Sequence, residues 1–260
     1  MNSIILDILN CLKHSKVWML LGYYDVIKRY KRSTIGQFWI TISTAILVIG
    51  ITFIYSKLFN INTKLYFVYL TINYCLWTLI KDTIQDSCST FTSSSSLILN
   101  EKWNLLILLM RVIIRNLLTF FHNFILIIIS IIYSSTKVGL IELFLSFANF
   151  LILILILINL SLFIAIFTTR YRDFNMIISN GLQLIFFITP VMWTKDLFLD
   201  YRWIIDLNPL ALILNSIASP IIYGKYILME TFYLFLIFLI TALISFFTYY
   251  KKKNKISYWL

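Results

Sequence analysis

Charged residues are scarce in this 260-residue chain: Asp, Glu, Lys and Arg make up 13% of it, whereas 60% is hydrophobic. So few charges leave too little polar surface to cover a water-soluble globule of this size. The hydrophobic residues fall in long unbroken runs, which are typical of membrane-spanning helices, whereas a transmembrane barrel has weaker segments of about ten alternating residues. The composition therefore predicts an all-α integral membrane protein.

Cysteine, histidine and glycine are also rare, and their positions exclude several kinds of site. The three cysteines, Cys11, Cys75 and Cys88, form no CxxC pair, which argues against a disulfide framework or a thiolate metal site. The two histidines are far apart in the sequence, so we expect no metal site. No GxxxxGK[ST] phosphate loop, HExxH or GxSxG motif occurs, so the chain is expected neither to bind ATP in that way nor to be an enzyme.

Six uncharged or nearly uncharged runs are candidate membrane spans. They lie at 33–56, 65–80, 116–136, 143–169, 174–194 and 226–250. A seventh run at 207–224 contains Pro209 and Pro220, and prolines interrupt helices. We therefore expect a re-entrant or interfacial outer segment between spans five and six, with its broken backbone satisfied by surrounding protein or water.

The Lys and Arg residues are distributed unevenly between the two sides of these six spans. With the N-terminus in the cytoplasm, 16 of the 22 cations fall on the inner side and 6 on the outer side, as the positive-inside rule expects. Both termini are therefore predicted to be cytoplasmic. The net charge of +11 is then explained by topology and anionic lipid, and no nucleic-acid partner is expected. The single membrane domain over 1–260 divides into a cytoplasmic amphipathic segment at 1–32, a six-helix region at 33–250 and a basic cytoplasmic tail at 251–260.

An amphipathic pattern precedes the first span. Its apolar positions recur at spacings of three and four, as in one face of a helix: Val17, Leu20, Leu21, Tyr24 and Ile27. The pattern predicts a helix lying along the inner leaflet, with its cations near lipid phosphates. A solvated cytoplasmic anchor is the alternative, which the spacing does not exclude.

Six short motifs follow one another over residues 30–225, approximately. They are Arg29-Tyr30-Lys31-Arg32-Ser33 with Gly36 and Trp39; Arg111 with Arg115-Asn116; His122-Asn123; Arg170-Tyr171-Arg172-Asp173; Thr189-Pro190-Val191-Met192-Trp193; and Asn208-Pro209-Leu210. In this order they resemble the permease subunits of bacterial ABC-2 type polysaccharide exporters, in which the first motif belongs to the amphipathic interface helix. Two features depart from that pattern: Ala218 stands where the family commonly has an arginine, and 97–110 lacks the usual proline.

The resemblance implies a homodimer in the bacterial inner membrane, each copy bound to a separately encoded ATPase subunit that holds ATP and Mg. The implied substrate is a lipid-linked polysaccharide. The His122-Asn123 pair and the 189–193 motif favour the O-antigen branch of lipopolysaccharide export. The alternatives are an exporter of teichoic acid, capsule or a small drug or lipid.

An intramembrane acyl- or glycosyltransferase is the alternative from another class. It needs facing acids or a polar catalytic loop, and the outer acids Asp196, Asp200 and Asp206 are the candidates. Their spacing does not bring them together.

Two sets of functional residues are implied by the resemblance. The residues expected to contact the ATPase are Asn100, Glu101, Lys102 and Trp103, which suit a coupling helix between spans two and three, and Arg170, Tyr171, Arg172 and Asp173. The residues expected to line a conduit, where aromatic rings would stack on sugars, are Phe53, Tyr55, Tyr66, Tyr69, Tyr74, Trp77, Phe186 and Phe187. Each set has a plainer explanation, since cations at span ends set orientation and aromatics form interfacial belts. His122, inside the third span, is either a functional group or a neutral imidazole bonded to a neighbouring helix.

Overall fold

The computed structural model describes residues 2–136, 138–194 and 202–260, and these form helices without any strand. The prediction of an all-α protein is confirmed for this part of the chain. The helices are α1 (Asn2–Lys13), α2 (Ser15–Tyr30), α3 (Phe38–Leu58), α4 (Thr63–Ser87), α5 (Ser95–Asn100), α6 (Leu105–Ser134), α7 (Leu140–Arg170), α8 (Phe174–Ile188), α9 (Arg202–Asp206), α10 (Pro209–Tyr223), α11 (Leu228–Lys252) and α12 (Ile256–Trp259), with a 3-10 turn at Lys253–Lys255.

Four helical stretches of the described residues are long and apolar enough to cross a membrane. They are α3, α6, α7 and the continuous stretch Leu228–Trp259 that contains α11. The predicted second and fifth spans correspond to α4 and α8. α4 has 25 residues but carries Lys81, Asp82 and Asp86 in its last third, and α8 has only 15 residues.

α4 is the central helix of the bundle. It packs against α3, α6, α7 and α10, and residues all around its circumference are buried. Val68, Leu70 and Cys75 are completely buried within the main apolar cluster. Because protein surrounds α4, the helix tolerates polar residues such as Asn73, which also lies in the interior. α7 and α11 pack along each other beside it, and Ser245 Oγ donates to Asn159 Oδ1 at 3.1 Å.

The seventh apolar run differs from the broken segment that its prolines predicted, because α10 is one continuous helix. Pro209 occupies the first turn, where its missing N–H costs nothing. Pro220 lies in the last turns and leaves the carbonyl of Ser216 without its usual N–H donor. Asn149 on α7 replaces that donor, since its Nδ2 donates to the Ser216 oxygen at 2.9 Å. α10 then ends at Gly224, which has the left-handed φ of 61°.

This replacement can be tested with a double-mutant cycle. Asn149→Ala leaves the Ser216 carbonyl unpaired in a buried position, so we expect it to lower the free energy of unfolding by about 1–3 kcal/mol. In a Pro220→Ala background the restored backbone N–H bonds the same oxygen, so Asn149→Ala should cost less there. Thermal unfolding of the four proteins in detergent measures the difference. Strictly additive effects would contradict the explanation.

Candidate functional site

One end of the molecule, called the base below, consists of α1, α5, the α7–α8 turn at 171–173 and α12. Asp7 of α1 links this end to the residue before α6 and to the end of α11. Asn104 Nδ2, just before α6, donates to the Asp7 carbonyl at 2.8 Å, and Tyr249 Oη donates to the Asp7 carboxylate at 2.8 Å. Lys253 forms an ion pair with the same carboxylate. The first described helix is therefore bonded to the end of α11 and to the 3-10 turn that follows it.

The first predicted coupling set lies at the base, but mostly outside a helix. α5 ends at Asn100, and the chain then turns through Glu101 and Lys102, the latter with a φ of 52°. Trp103 Nε1 donates to Glu101 Oε2 at 2.7 Å, which closes the turn. Asn100, Glu101 and Lys102 are exposed. The helix between α4 and α6 is thus Ser95–Asn100, and it ends at the first of the predicted coupling residues.

The second predicted coupling set forms the α7–α8 turn at the same base. Arg170 is the last residue of α7, and Tyr171, Arg172 and Asp173 follow it as exposed residues. The Arg170 guanidinium lies 5.0 Å from the centre of the Tyr171 ring and 5.5 Å from that of Trp259. The guanidinium therefore makes cation–π contacts with both rings.

Two polar hollows lie between these elements. One, of about 480 Å³, is lined by Ser89 and Ser95 on one side and by Arg172 and Leu260 on the other. Another, of about 550 Å³, has Lys102 in its wall together with residues of α1, α6, α11 and α12. The two predicted coupling sets therefore border concave surfaces of the base.

A network of charged side chains lies deeper than the base and joins α2, α4 and α6. Arg111 Nε and Nη2 each lie 2.6 Å from a carboxylate oxygen of Asp25 on α2. Arg115 Nη2 lies 2.7 Å from Asp86 Oδ2 on α4, and Asn116 Nδ2 donates to the same oxygen at 3.0 Å. The Arg111-x-x-x-Arg115-Asn116 motif is therefore a three-helix connector. Sequence reasoning did not find its acidic partners.

The predicted amphipathic helix, α2, has two distinct apolar faces. Trp18, Gly22 and Val26 are buried against α6, whereas Leu20 and Tyr24 are exposed on another side. The motif that begins at Arg29 spans the end of α2, the connection and the start of α3. In that connection, Gly36 has a φ of 63°, which favours glycine, whereas the exposed Trp39 lies within α3. The motif residues Arg29, Lys31, Arg32 and Ser33 are exposed, and Tyr30 is half-buried.

The contact between α2 and α6 depends on the absence of a side chain at Gly22. A Cβ there would lie 2.9 Å from the backbone oxygen of Arg111 and 2.9 Å from the Ile114 side chain. We expect Gly22→Ala to push the helices apart and lower the melting temperature in detergent by several degrees, as overpacking costs about 1–3 kcal/mol. Gly50→Ala is the matched control, because a Cβ there meets nothing within 4 Å. Equal effects of both substitutions would contradict this explanation.

The predicted conduit aromatics fall into two groups. Phe53 and Phe187 are 67% and 64% exposed. Tyr66, Tyr69 and Trp77 instead lie in the core of the single chain. Tyr55, Tyr74 and Phe186 are half-buried and pack against that core.

The burial of the two α4 tyrosines has a clear physical cause. The chain after α8 turns at Pro190, and its carbonyl groups need donors that a helix would have supplied. Tyr69 Oη lies 2.6 Å from the Pro190 oxygen and 2.8 Å from the Trp193 oxygen, and Tyr66 Oη donates to the Met192 oxygen. Asn208 Nδ2, from the motif that starts α10, donates to Thr189 Oγ1 at 2.9 Å. The two last motifs therefore meet in one hydrogen-bonded cluster.

α8 carries a polar stripe that sequence reasoning missed. Of its 15 residues only Leu182 is buried, and Ser179, Asn180 and Gln183 are exposed among exposed apolar neighbours. Their spacings of one, three and four place them on one side of the helix. A polar group that faces hydrocarbon costs several kcal/mol, so this side requires water or another protein surface. The spacing of polar residues within the run 174–194 was the available signal.

His122 is hydrogen-bonded on both ring nitrogens. Nδ1 lies 2.8 Å from the Leu118 carbonyl oxygen, one turn earlier in α6, and Nε2 lies 3.1 Å from Gln37 Oε1 just before α3. Thr41 Oγ1 donates to the His122 carbonyl at 2.9 Å. His122 is thus bonded to the segment that precedes α3.

The comparisons with known proteins add no family. No family model matches this chain, and no curated protein matches it.

For the transferase alternative, Asp196 and Asp200 lie outside the described residues, and Asp206 ends α9. Among the described residues no group of three His, Cys, Asp or Glu side chains is placed to hold a metal ion.

Proposed function

We propose that this chain is the permease half of an ATP-driven ABC exporter that moves a lipid-linked polysaccharide, with O-antigen as the first candidate, across the bacterial inner membrane. The observation that carries the proposal is the exposed polar stripe on α8. Ser179, Asn180 and Gln183 lie on a helix of a membrane protein and face outward from the bundle.

In a homodimer, a second copy of the chain encloses a water-filled path that this stripe faces. When the α8 helices of two copies face each other across a water-filled path, the amides are hydrated and can bond sugar hydroxyls in turn. The exposed ring of Phe187, one helical turn from Gln183, adds a surface on which sugar rings stack. Weak, repeated contacts of this kind suit a polymer that slides. Teichoic acid and capsule have the same chemistry, so the exported glycan must be identified directly.

Energy comes from a partner in this proposal. The sequence contains no phosphate loop, and the base offers two exposed turns beside polar hollows, a shape suited to docking an ATPase subunit. ATP and Mg therefore belong to that subunit, and this chain is not an enzyme. Each copy of the homodimer binds one such subunit.

The proposed topology has six crossings with the base in the cytoplasm. The crossings are α3, α4, α6, α7, α8 and α11, and α10 is a re-entrant helix on the outer side. Cations concentrated near the base, together with the juxtamembrane cations of α2, support this orientation.

Cysteine labelling in intact cells tests the orientation. An impermeant maleimide should modify a cysteine placed at Lys57, in the last turn of α3, and spare one placed at Lys102 at the base. Both positions are exposed, so accessibility to solvent is matched. The three native cysteines are buried, and a cysteine-free background removes their residual signal. The reversed labelling pattern would refute the proposed topology.

Surface polysaccharide per cell tests the role of the stripe. Asn180→Leu with Gln183→Leu removes two hydrogen-bonding groups worth about 0.5–1.5 kcal/mol each, so export should fall roughly tenfold. The control exchanges the amides, Asn180→Gln with Gln183→Asn, and should retain most export. The surface polysaccharide of both variants is divided by the amount of permease in the cells. Wild-type export from the leucine variant would show that the stripe does not contact the substrate.

A further inference from the structure

The segment 253–260, expected from its sequence to be a basic tail, is an ordered part of the base. Ile256 is completely buried, in a cluster with Ile98, Leu105 and Tyr249. These three residues come from α5, α6 and α11, and α12 also packs against α7. A four-residue helix has no stability of its own, and these tertiary contacts therefore fix its position.

α12 also contacts the α7–α8 turn. The Trp259 ring packs 5.5 Å from the Arg170 guanidinium and 5.9 Å from the Lys252 ammonium. The residues after Ile256 separate the two hollows, because Ser257 lines one of them and Leu260 lines the other. α12 therefore forms a ridge in the middle of the base, between the two turns.

The outward side of this ridge carries an unusual side chain. Tyr258 is 88% exposed, more than almost any other large apolar or aromatic residue described, and it projects from a helix whose opposite side is fixed. Tyrosine is enriched among the residues that dominate binding energy at protein interfaces. Because its neighbours on the ridge are anchored, little conformational entropy is lost when Tyr258 enters a partner's pocket.

The charge of the ridge indicates the chemistry of its partner. Lys102, Arg172, Lys251 and Lys255 are exposed cations at or near the base, whereas Lys253 is neutralised by Asp7. The exposed acids there are Glu101 and Asp173. A partner with an acidic surface around an apolar pocket complements this pattern.

We infer that the ridge 255–260 is a third contact for the ATPase subunit, with Tyr258 inserted into an apolar pocket on an acidic face of that subunit. This inference rests on the proposed function. The ridge lies between the two turns and their hollows, so a subunit that touches both turns must cover it. Anionic lipid is the competing ligand for such cations, and it is one outcome of the test.

The probe is the ATPase subunit that co-purifies with the wild-type chain, identified by mass spectrometry from its GxxxxGK[ST] sequence and then produced separately. The dissociation constant of its complex with the full chain is measured in two kinds of nanodisc. One kind contains only neutral lipid, and in the other one third of the lipids carry anionic headgroups. Tyr258→Ala should weaken binding by roughly tenfold or more in both lipids. Tyr250→Ala is the matched control, an exposed tyrosine on the side of α11, and should bind as the wild type does.

A second pair of variants tests charge without altering the ring. Lys255→Glu should weaken binding several-fold and reduce its dependence on salt, because the attraction to an acidic surface is lost. Lys57 is an exposed lysine at the other end of the molecule, so Lys57→Glu should change neither the affinity nor its dependence on salt. Both ridge residues are exposed, so normal melting temperatures are expected for these variants.

Three outcomes overturn the inference. If Tyr258→Ala binds with wild-type affinity while Arg172→Glu weakens binding, the ridge is not part of the interface. The proposed function then still stands. An effect of Lys255→Glu that appears only with anionic lipid assigns the ridge to the membrane surface. If no ATPase subunit binds the wild-type chain at all, the proposed function itself is wrong.

Discussion

The bidentate contact between Arg111 and Asp25 is the constraint on which the arrangement of α2, α4 and α6 depends. It fixes α2 on α6, and the neighbouring pair of Arg115 with Asp86 fixes α4 on the same helix. These carboxylates and guanidinium groups are mostly shielded from solvent, so each charge requires its partner. The end of α4, from which the chain leads into α5, is therefore coupled to α2 through α6.

Backbone carbonyls without helical partners explain a second feature of the bundle's interior. Pro220 leaves one such oxygen in α10, and the turn at Pro190 leaves several more after α8. Asn149, Tyr66 and Tyr69 supply donors to them from α7 and α4. Polar side chains thus appear in the interior of this membrane protein because irregular backbone is tolerated only where such donors satisfy it.

Composition and hydropathy predicted the all-α class and the positions of α3, α6, α7 and α11, because long apolar runs depend on local sequence alone. They could not predict that α10 stays helical through Pro220, since the rescuing donor lies 67 residues away from Ser216. Nor could they predict which aromatics are buried: Tyr69 and Phe187 are similar in sequence terms, and only packing separates them. The ridge at α12 was missed because its one fully buried residue, Ile256, lies in a short segment that follows several lysines.

The shortness of α8 has a consequence for the surrounding lipid. Fifteen residues rise about 22 Å, whereas the hydrocarbon core of a bilayer is about 30 Å thick. In the proposed topology α8 crosses the membrane, so where it borders lipid the bilayer must thin or headgroups must descend towards the turn at Pro190. In that topology, such a depression shortens the stretch of hydrocarbon that a charged or hydrated headgroup must cross beside α8.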